Sequence, residues 1–335
     1  MEIPGQSANS TAMNETSSPG YNGPGLILGT LAISNSNSKD LPTLLNALST
    51  LAIPITAIDT APFYPTHRPG YVESLLGSAL ETGGLGHEVH TKTMLSSKYG
   101  AAAGKGELHY TKVRESVQNS LQRLKTPKVK TLLAARPDEE AAVAEIAGIF
   151  NAKVKEGLCE QWGVCEFDLW SLKDVTKTAG KRGWVPPKVY QGRYSPLHRK
   201  RTEQLFNFLE QQNMIFLARS TSTHPESKPT PSPIGPAPNG TVKLNVFDMP
   251  EVQEVVQILK AIEDMHGLTP RAASLRWLAH HSKLRPEDGI ILESTTFEEL
   301  QSDVEEINKG PLQDDVLNEL DKAWHAEEDN TPNGW

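Results

Sequence analysis

Eight short apolar runs, each followed by a longer amphipathic stretch, leave few architectures open to this chain. The runs are Leu26–Thr30, Ile55–Thr60, Glu88–Thr93, Val129–Ala135, Gln161–Cys165, Val189–Gln191, Met214–Ala218 and Gly289–Leu292. They are apolar at most positions rather than at alternate ones, as strands covered on both faces must be. Between them, Asp40–Leu51 sets Leu41, Leu44, Leu45 and Leu48 at helical spacing, and Thr111–Leu124 does the same with Val113, Val117, Leu121 and Leu124, with Thr111 placed as an N-cap. The same periodicity predicts helices over Tyr71–Glu81, Asp138–Glu156, Leu169–Ala179, Arg199–Gln212, Glu251–His266, Pro270–His281 and Phe297–Asn308. Eight strand–helix pairs in 335 residues point to one closed (β/α)8 barrel over 25–335, an α/β fold that carries its chemistry at the carboxyl ends of the strands.

Two segments stand outside the rhythm. Residues 1–24 are rich in Ser, Asn, Gly and Thr and lack the basic-then-apolar order of a signal peptide, so they read as a disordered leader. Residues 220–239 (STSTHPESKPTPSPIGPAPN) are Pro- and Ser-rich and follow the seventh strand, which makes them a lid or a tolerated surface insertion. No apolar run approaches the roughly 20 residues of a membrane span. A net charge of −8 with no Lys/Arg cluster argues against nucleic acid. The two cysteines, Cys159 and Cys165, have no metal-ligand spacing and suit a reducing, cytoplasmic setting. Adjacent His280 and His281 point about 100° apart on a helix and do not share an ion, so no metal is expected. What remains is chemistry on a small molecule.

Residues from Leu26 to Trp324 resemble the aldo-keto reductases, most closely the aflatoxin-aldehyde-reductase branch. IDTAPFY at 58–64, VESLLGSAL at 72–80, KT at 92–93, SLQRLKTPKVKTLL at 120–133, VYQGRYSPLHR at 189–199 and SLRWLAHHSKL at 274–284 carry the likeness, in family order and spacing. The resemblance implies reduction of aldehydes and ketones with NADPH. It makes Tyr64 the proton donor, Lys92 the cation that lowers the Tyr64 pKa, and Asp59 the carboxylate that orients Lys92. A buried structural ion pair beside a core tyrosine is the alternative for these three.

Several family positions are altered. The catalytic histidine is Ala135, which cannot donate to a developing oxyanion. The Ser-Asn pair that binds the carboxamide is Cys165-Glu166, while Gln191, the next amide contact, is kept. Arg219 stands where an aromatic ring stacks under the nicotinamide, and a guanidinium has the wrong sign beside the oxidised ring. Glu293 replaces a glycine and Asp303 an asparagine near the 2′-phosphate, which adds repulsion there. Thr295 is the residue left to contact NADPH at that end.

Three functions follow. The first is a redox-neutral enzyme of secondary metabolism, requiring no cofactor, in which Tyr64 protonates an epoxide, carbonyl or hydroxyl and the substrate rearranges, dehydrates or cyclises. The second is an NADPH-dependent aldehyde or ketone reductase, and the third a non-catalytic binding subunit. Glu166 is the reserve acid, and a structural pair with Arg219 is its alternative. Cys165 reads as a packing thiol and His67 as a solvated loop residue.

Overall fold

A computed structural model describes residues 21–35, 41–65, 67–81, 88–93, 106–199, 202–219 and 250–330. Eight parallel strands close into a barrel in sequence order: β1 (Gly25–Gly29), β2 (Ile55–Asp59), β3 (Glu88–Lys92), β4 (Val129–Ala134), β5 (Cys159–Cys165), β6 (Val189–Arg193), β7 (Ile215–Arg219) and β8 (Gly289–Leu292). β8 returns to pair with β1, so no edge is left open. All eight expected strands are present, with ends shifted by one or two residues.

The surrounding helices are α1 (Leu31–Asn35), α2 (Leu41–Ala47), α3 (Tyr71–Glu81), α4 (Tyr110–Leu124), α5 (Val143–Lys155), α6 (Leu169–Lys181), α7 (Thr202–Gln211), α8 (Pro250–His266), α9 (Pro270–His280), α10 (Phe297–Asn308) and α11 (Asp314–Asn330). α7 begins at Thr202 rather than Arg199, α2 and α8 begin one residue from the expected position, and the starts of α4 and α5 also differ. α4 begins one residue before Thr111, with His109 at the N-cap and no side-chain cap. α5 begins at Val143 rather than Asp138, because the Asp138 carboxylate accepts the backbone N–H groups of Gly106, Leu108, Glu140 and Ala141 and makes a turn instead. The terminal helix α11 packs on α8, and the Arg199 guanidinium lies over the Trp324 and Trp277 rings, 4.4 and 5.1 Å from their centroids.

Residues 1–20 of the expected leader, and the expected loop over 220–239, lie outside the described residues. The leader's last four residues are described and belong to the body. Tyr21 is buried, donates its hydroxyl proton to the Pro24 carbonyl (2.8 Å) and meets the His280 ring edge-on. No helix among the described residues is long and apolar enough to cross a membrane.

Inside the barrel, Ile27, Ala57, Leu133, Val189, Leu217 and Ile291 form a separate buried cluster, drawn from β1, β2, β4, β6, β7 and β8. Side chains alternate along a strand, so the next inward residue is two positions on. Adding two to each member gives Gly29, Asp59, Ala135, Gln191, Arg219 and Glu293. The same step from His90 on β3 and Gly163 on β5 gives Lys92 and Cys165. The apolar plug therefore floors a polar tier at the carboxyl ends of the strands.

His90, level with that floor, is 6 % exposed, and its Nδ1 has no partner. Burial pulls its pKa down from 6.5 to about 4. Between those values the unfolded chain binds a proton that the native state refuses, so stability falls as pH falls through the window. Acidification from pH 7 to 4.5 should cost about 2 kcal/mol through this one group. Urea unfolding at both pH values checks this, and a His90→Gln variant should lose that part of the slope.

Candidate active site

The polar tier is built around a buried ion pair. The Lys92 ammonium, at the end of β3, donates to both carboxylate oxygens of Asp59 at the end of β2, each at 2.7 Å, and both side chains are 2 % exposed. Gln191 on β6 adds an amide donor to Asp59 Oδ1 (2.8 Å), and Lys92 also reaches the Thr60 carbonyl (3.4 Å). A buried carboxylate needs this coverage, since an uncompensated charge in a dry site costs several kcal/mol. Asp59, Lys92 and Gln191 thus stand together as expected.

Tyr64 follows β2 in a short turn held by hydrogen bonds from its own N–H to Ala61 O and from Val72 N–H to its carbonyl. It is buried, with Phe63 packed edge-on against its ring. Lys92 approaches the ring, its Nζ standing 5.8 Å from the centroid. The expected lowering of the Tyr64 pKa does not occur. Burial pushes the hydroxyl well above 10, and the nearby Asp59 and Glu293 carboxylates push it further in the same direction. The Lys92 ammonium is bound to both Asp59 oxygens and does not offset the burial of the phenol or the charge of Asp59 beside it. Tyr64 is thereby a hydrogen-bond donor that keeps its proton at neutral pH.

Opposite Tyr64, the ends of β5, β6 and β7 are tied to one another. The Cys165 thiol donates to Gln191 Oε1 at 3.4 Å, and burial lifts its pKa to about 11, which makes it inert packing. Glu166 sits in the left-handed region (φ 57), where non-glycine residues are uncommon, and its N–H is held by Gln191 O. Its carboxylate accepts from the Arg219 guanidinium at 3.0 Å, so the two charges span the positions that the resemblance assigns to carboxamide and nicotinamide contacts. Ala135 is buried beside them and offers only a backbone N–H, which donates to Thr93 Oγ1. His67 is exposed.

At the end of β8, Arg271 from α9 grips Asp303 of α10 with two hydrogen bonds, Nε–Oδ1 at 2.7 Å and Nη2–Oδ2 at 2.5 Å. Asp303 is therefore not a free repelling charge, as its position alone suggested; its effect is to occupy the cation. Ser294 also donates to Asp303 Oδ2 (2.7 Å). The backbone and hydroxyl of Thr295 donate to Glu299 Oε2 at 2.7 and 2.6 Å, while Thr296 caps the Glu299 N–H. The Glu299 carboxylate thus lies at the α10 N-terminus, bonded to the residue before the N-cap Thr296. Thr295, expected to contact a cofactor, is bonded to Glu299 here. His280 and His281 bond separate backbone groups, Ile307 O and Leu312 N. Among the described residues no cluster of three or more His, Cys, Asp or Glu side chains could hold a metal.

Glu293 is a member of the tier that motif reasoning placed at the phosphate end. The period-two step from Ile291 was the signal that puts it over the barrel mouth instead. Its Oε2 accepts from Ala32 N at 3.2 Å, and its Oε1 is buried without a partner.

Lys92→Met would leave the Asp59 carboxylate buried with only the Gln191 amide. It should destabilise the protein by about 3–5 kcal/mol. Adding Asp59→Asn should recover a large part of that loss, as measured by chemical denaturation of both variants.

The family profile of the aldo/keto reductases matches residues 25–325. The chain is 27 % identical to the aldo-keto reductase pigE of Monascus ruber, over 90 % of each chain. It is also 27 % identical to human aflatoxin B1 aldehyde reductase member 4, over 83 % of this chain and 87 % of that one. The solved structure of a thermostable aldo-keto reductase with the inhibitor epalrestat superposes with a TM-score of 0.62, covering 90 % of this chain and 95 % of the other at 20 % identity, which supports the fold. Family profile, relatives and barrel agree: this chain belongs to the aldo/keto reductase family.

Proposed function

We propose that this protein is a redox-neutral acid catalyst acting on a small apolar substrate, with Tyr64 donating a hydrogen bond to the substrate oxygen. The observation that carries the reading is the Glu166–Arg219 pair spanning the nicotinamide positions above an intact Asp59–Lys92–Gln191 frame. Family members typically use NADPH, and the residues present here do not fit that group. Arg271, the cation at the α10 end, is bonded to Asp303, and the Glu299 carboxylate lies at the helix N-terminus. Glu293 brings a carboxyl toward the same mouth.

Within this reading each residue has a task. Lys92 and Asp59 cancel one another and keep the mouth dry and nearly neutral. Gln191 fixes the Asp59 carboxylate. Tyr64, protonated throughout the working pH range, polarises an epoxide, carbonyl or hydroxyl oxygen. Opening of the C–O bond, followed by rearrangement, dehydration or cyclisation, needs no electron donor. The fungal relative pigE is an aldo-keto reductase, and another, sirO of Leptosphaeria maculans, is an oxidoreductase 23 % identical to this chain. The proposed reaction belongs to secondary metabolism.

A second reading, an NADPH-dependent aldehyde or ketone reductase, draws on the retained Asp59, Tyr64, Lys92 and Gln191. Titration calorimetry with NADPH separates the two. The protein should bind at least ~100-fold more weakly than a family reductase measured alongside it, about 2.7 kcal/mol. A micromolar or tighter dissociation constant would remove the redox-neutral reading.

A further inference from the structure

We propose that Glu293 is the proton-transfer group of this site, giving and taking back the mobile proton through its free Oε1 while Tyr64 holds the same substrate oxygen by a hydrogen bond. The proposal rests on the redox-neutral reading above. It starts from the register of three neighbouring strands. Leu28 pairs with Leu292 and Gly29 with Asp59, so Glu293, Gly29 and Asp59 are consecutive members of the tier across β8, β1 and β2. Gly29 contributes no side chain, and the Glu293 carboxyl fills the space it leaves. A Cβ at Gly29 would lie 2.9 Å from Glu293 Cδ and 2.8 Å from Ile291 Cγ2. The glycine is thus what lets the carboxyl lie across β1 toward the mouth that Tyr64 and Asp59 line.

One carboxyl oxygen is fixed and the other is free. Oε2 accepts from Ala32 N, whereas Oε1 is shielded from solvent and bonded to nothing. A buried acceptor left this way is costly unless it carries a proton or meets a ligand. Asp59 stands beside it with its own negative charge, and two carboxyls in one dry site do not both ionise readily. Around Glu293 stand Asp59 from β2, Lys92 from β3, Tyr64 from the turn after β2 and Arg219 from β7. Arg271 of α9, itself bonded to Asp303 of α10, donates to the Glu293 backbone carbonyl. Lys92, Arg219 and Arg271 already have carboxylate partners in Asp59, Glu166 and Asp303. Burial, with Asp59 adding to it, raises the Glu293 pKa above the ordinary carboxyl value. Tyr64, held well above 10, is a far weaker acid than this carboxyl and suits polarisation better than proton delivery.

On an epoxide the step balances without an oxidant or reductant. Neutral Glu293 passes its Oε1 proton to the ring oxygen as the C–O bond breaks, and the electron pair of that bond stays on oxygen as a hydroxyl. The resulting carbocation loses a proton from the neighbouring carbon, whose C–H pair becomes the C=C bond. That proton returns to the Glu293 carboxylate. The product is an allylic alcohol isomeric with the epoxide, and the acid is restored.

Two measurements on the wild type and Glu293→Gln test this. The glutamine keeps the size of the side chain and its acceptor for Ala32 N. Carbon-13 carboxyl NMR of the two proteins, subtracted, isolates the Glu293 titration. Its midpoint should lie above the ordinary glutamate value of about 4.3, and should rise further in Arg219→Met. A midpoint at or below the ordinary value would overturn the proposal. The second measurement follows isomerisation of a probe, 1-phenylcyclohexene oxide. The wild type should accelerate it, lose rate as pH rises through the NMR midpoint, and outpace Glu293→Gln by at least ~100-fold. Equal rates in the two proteins would overturn the role of Glu293 and leave the redox-neutral reading standing. A wild type inert toward the probe, with its titration as expected, would instead overturn that reading and the proposal with it.

Discussion

The Asp59–Lys92 ion pair is the constraint around which the rest of the site is arranged. Neither charge is tolerable alone at 2 % exposure, and together they are tolerable only with near-ideal geometry and further hydrogen bonds. The two 2.7 Å contacts and the Gln191 amide supply both. Because the ammonium gives itself to the carboxylate, it does not act as a free cation would on the Tyr64 phenol, whose ring centroid lies 5.8 Å away. A motif that resembles an acidified tyrosine therefore produces a protonated one.

Several substituted positions around this pair have partners on a neighbouring element rather than standing as gaps. Cys165 meets Gln191, Glu166 meets Arg219, and Asp303 meets Arg271. Among the described residues, Glu293 Oε1 and Arg219 Nε are buried polar atoms that remain without a hydrogen-bond partner. Positive φ at Glu166 fits the same picture, since a strained backbone at a strand end persists where hydrogen bonds such as Glu166 N to Gln191 O hold it.

The barrel was legible because its signal is repeated eight times and depends only on short apolar runs. The gathering of Asp59, Lys92, Glu166, Gln191 and Arg219 at the strand ends was legible from the same runs, and the place of Tyr64 from the likeness of IDTAPFY to the family motif. What escaped was pairing. Nothing in the order of residues says that Asp138 will collect four backbone N–H groups and delay α5, or that Tyr21 will pack against His280. Nor does it say that Arg271 will take Asp303, which reverses the meaning of that aspartate. The direction of the Tyr64 shift failed for a related reason: it depends on how completely one charge is cancelled by another on a neighbouring strand. Glu293, in contrast, could have been found by counting two residues from Ile291.

The claim that Lys92 is neutralised and Tyr64 stays protonated can be tested by ultraviolet absorbance titration of phenolate. The chain has seven tyrosines, so the wild-type curve minus that of Tyr64→Phe isolates one. The difference should show no phenolate step at or below the ordinary phenol value of about 10, with any step delayed until more alkaline pH or until the protein unfolds. A step clearly below 10 would mean that Lys92 acidifies Tyr64 after all, and the account of this site would be wrong at its centre.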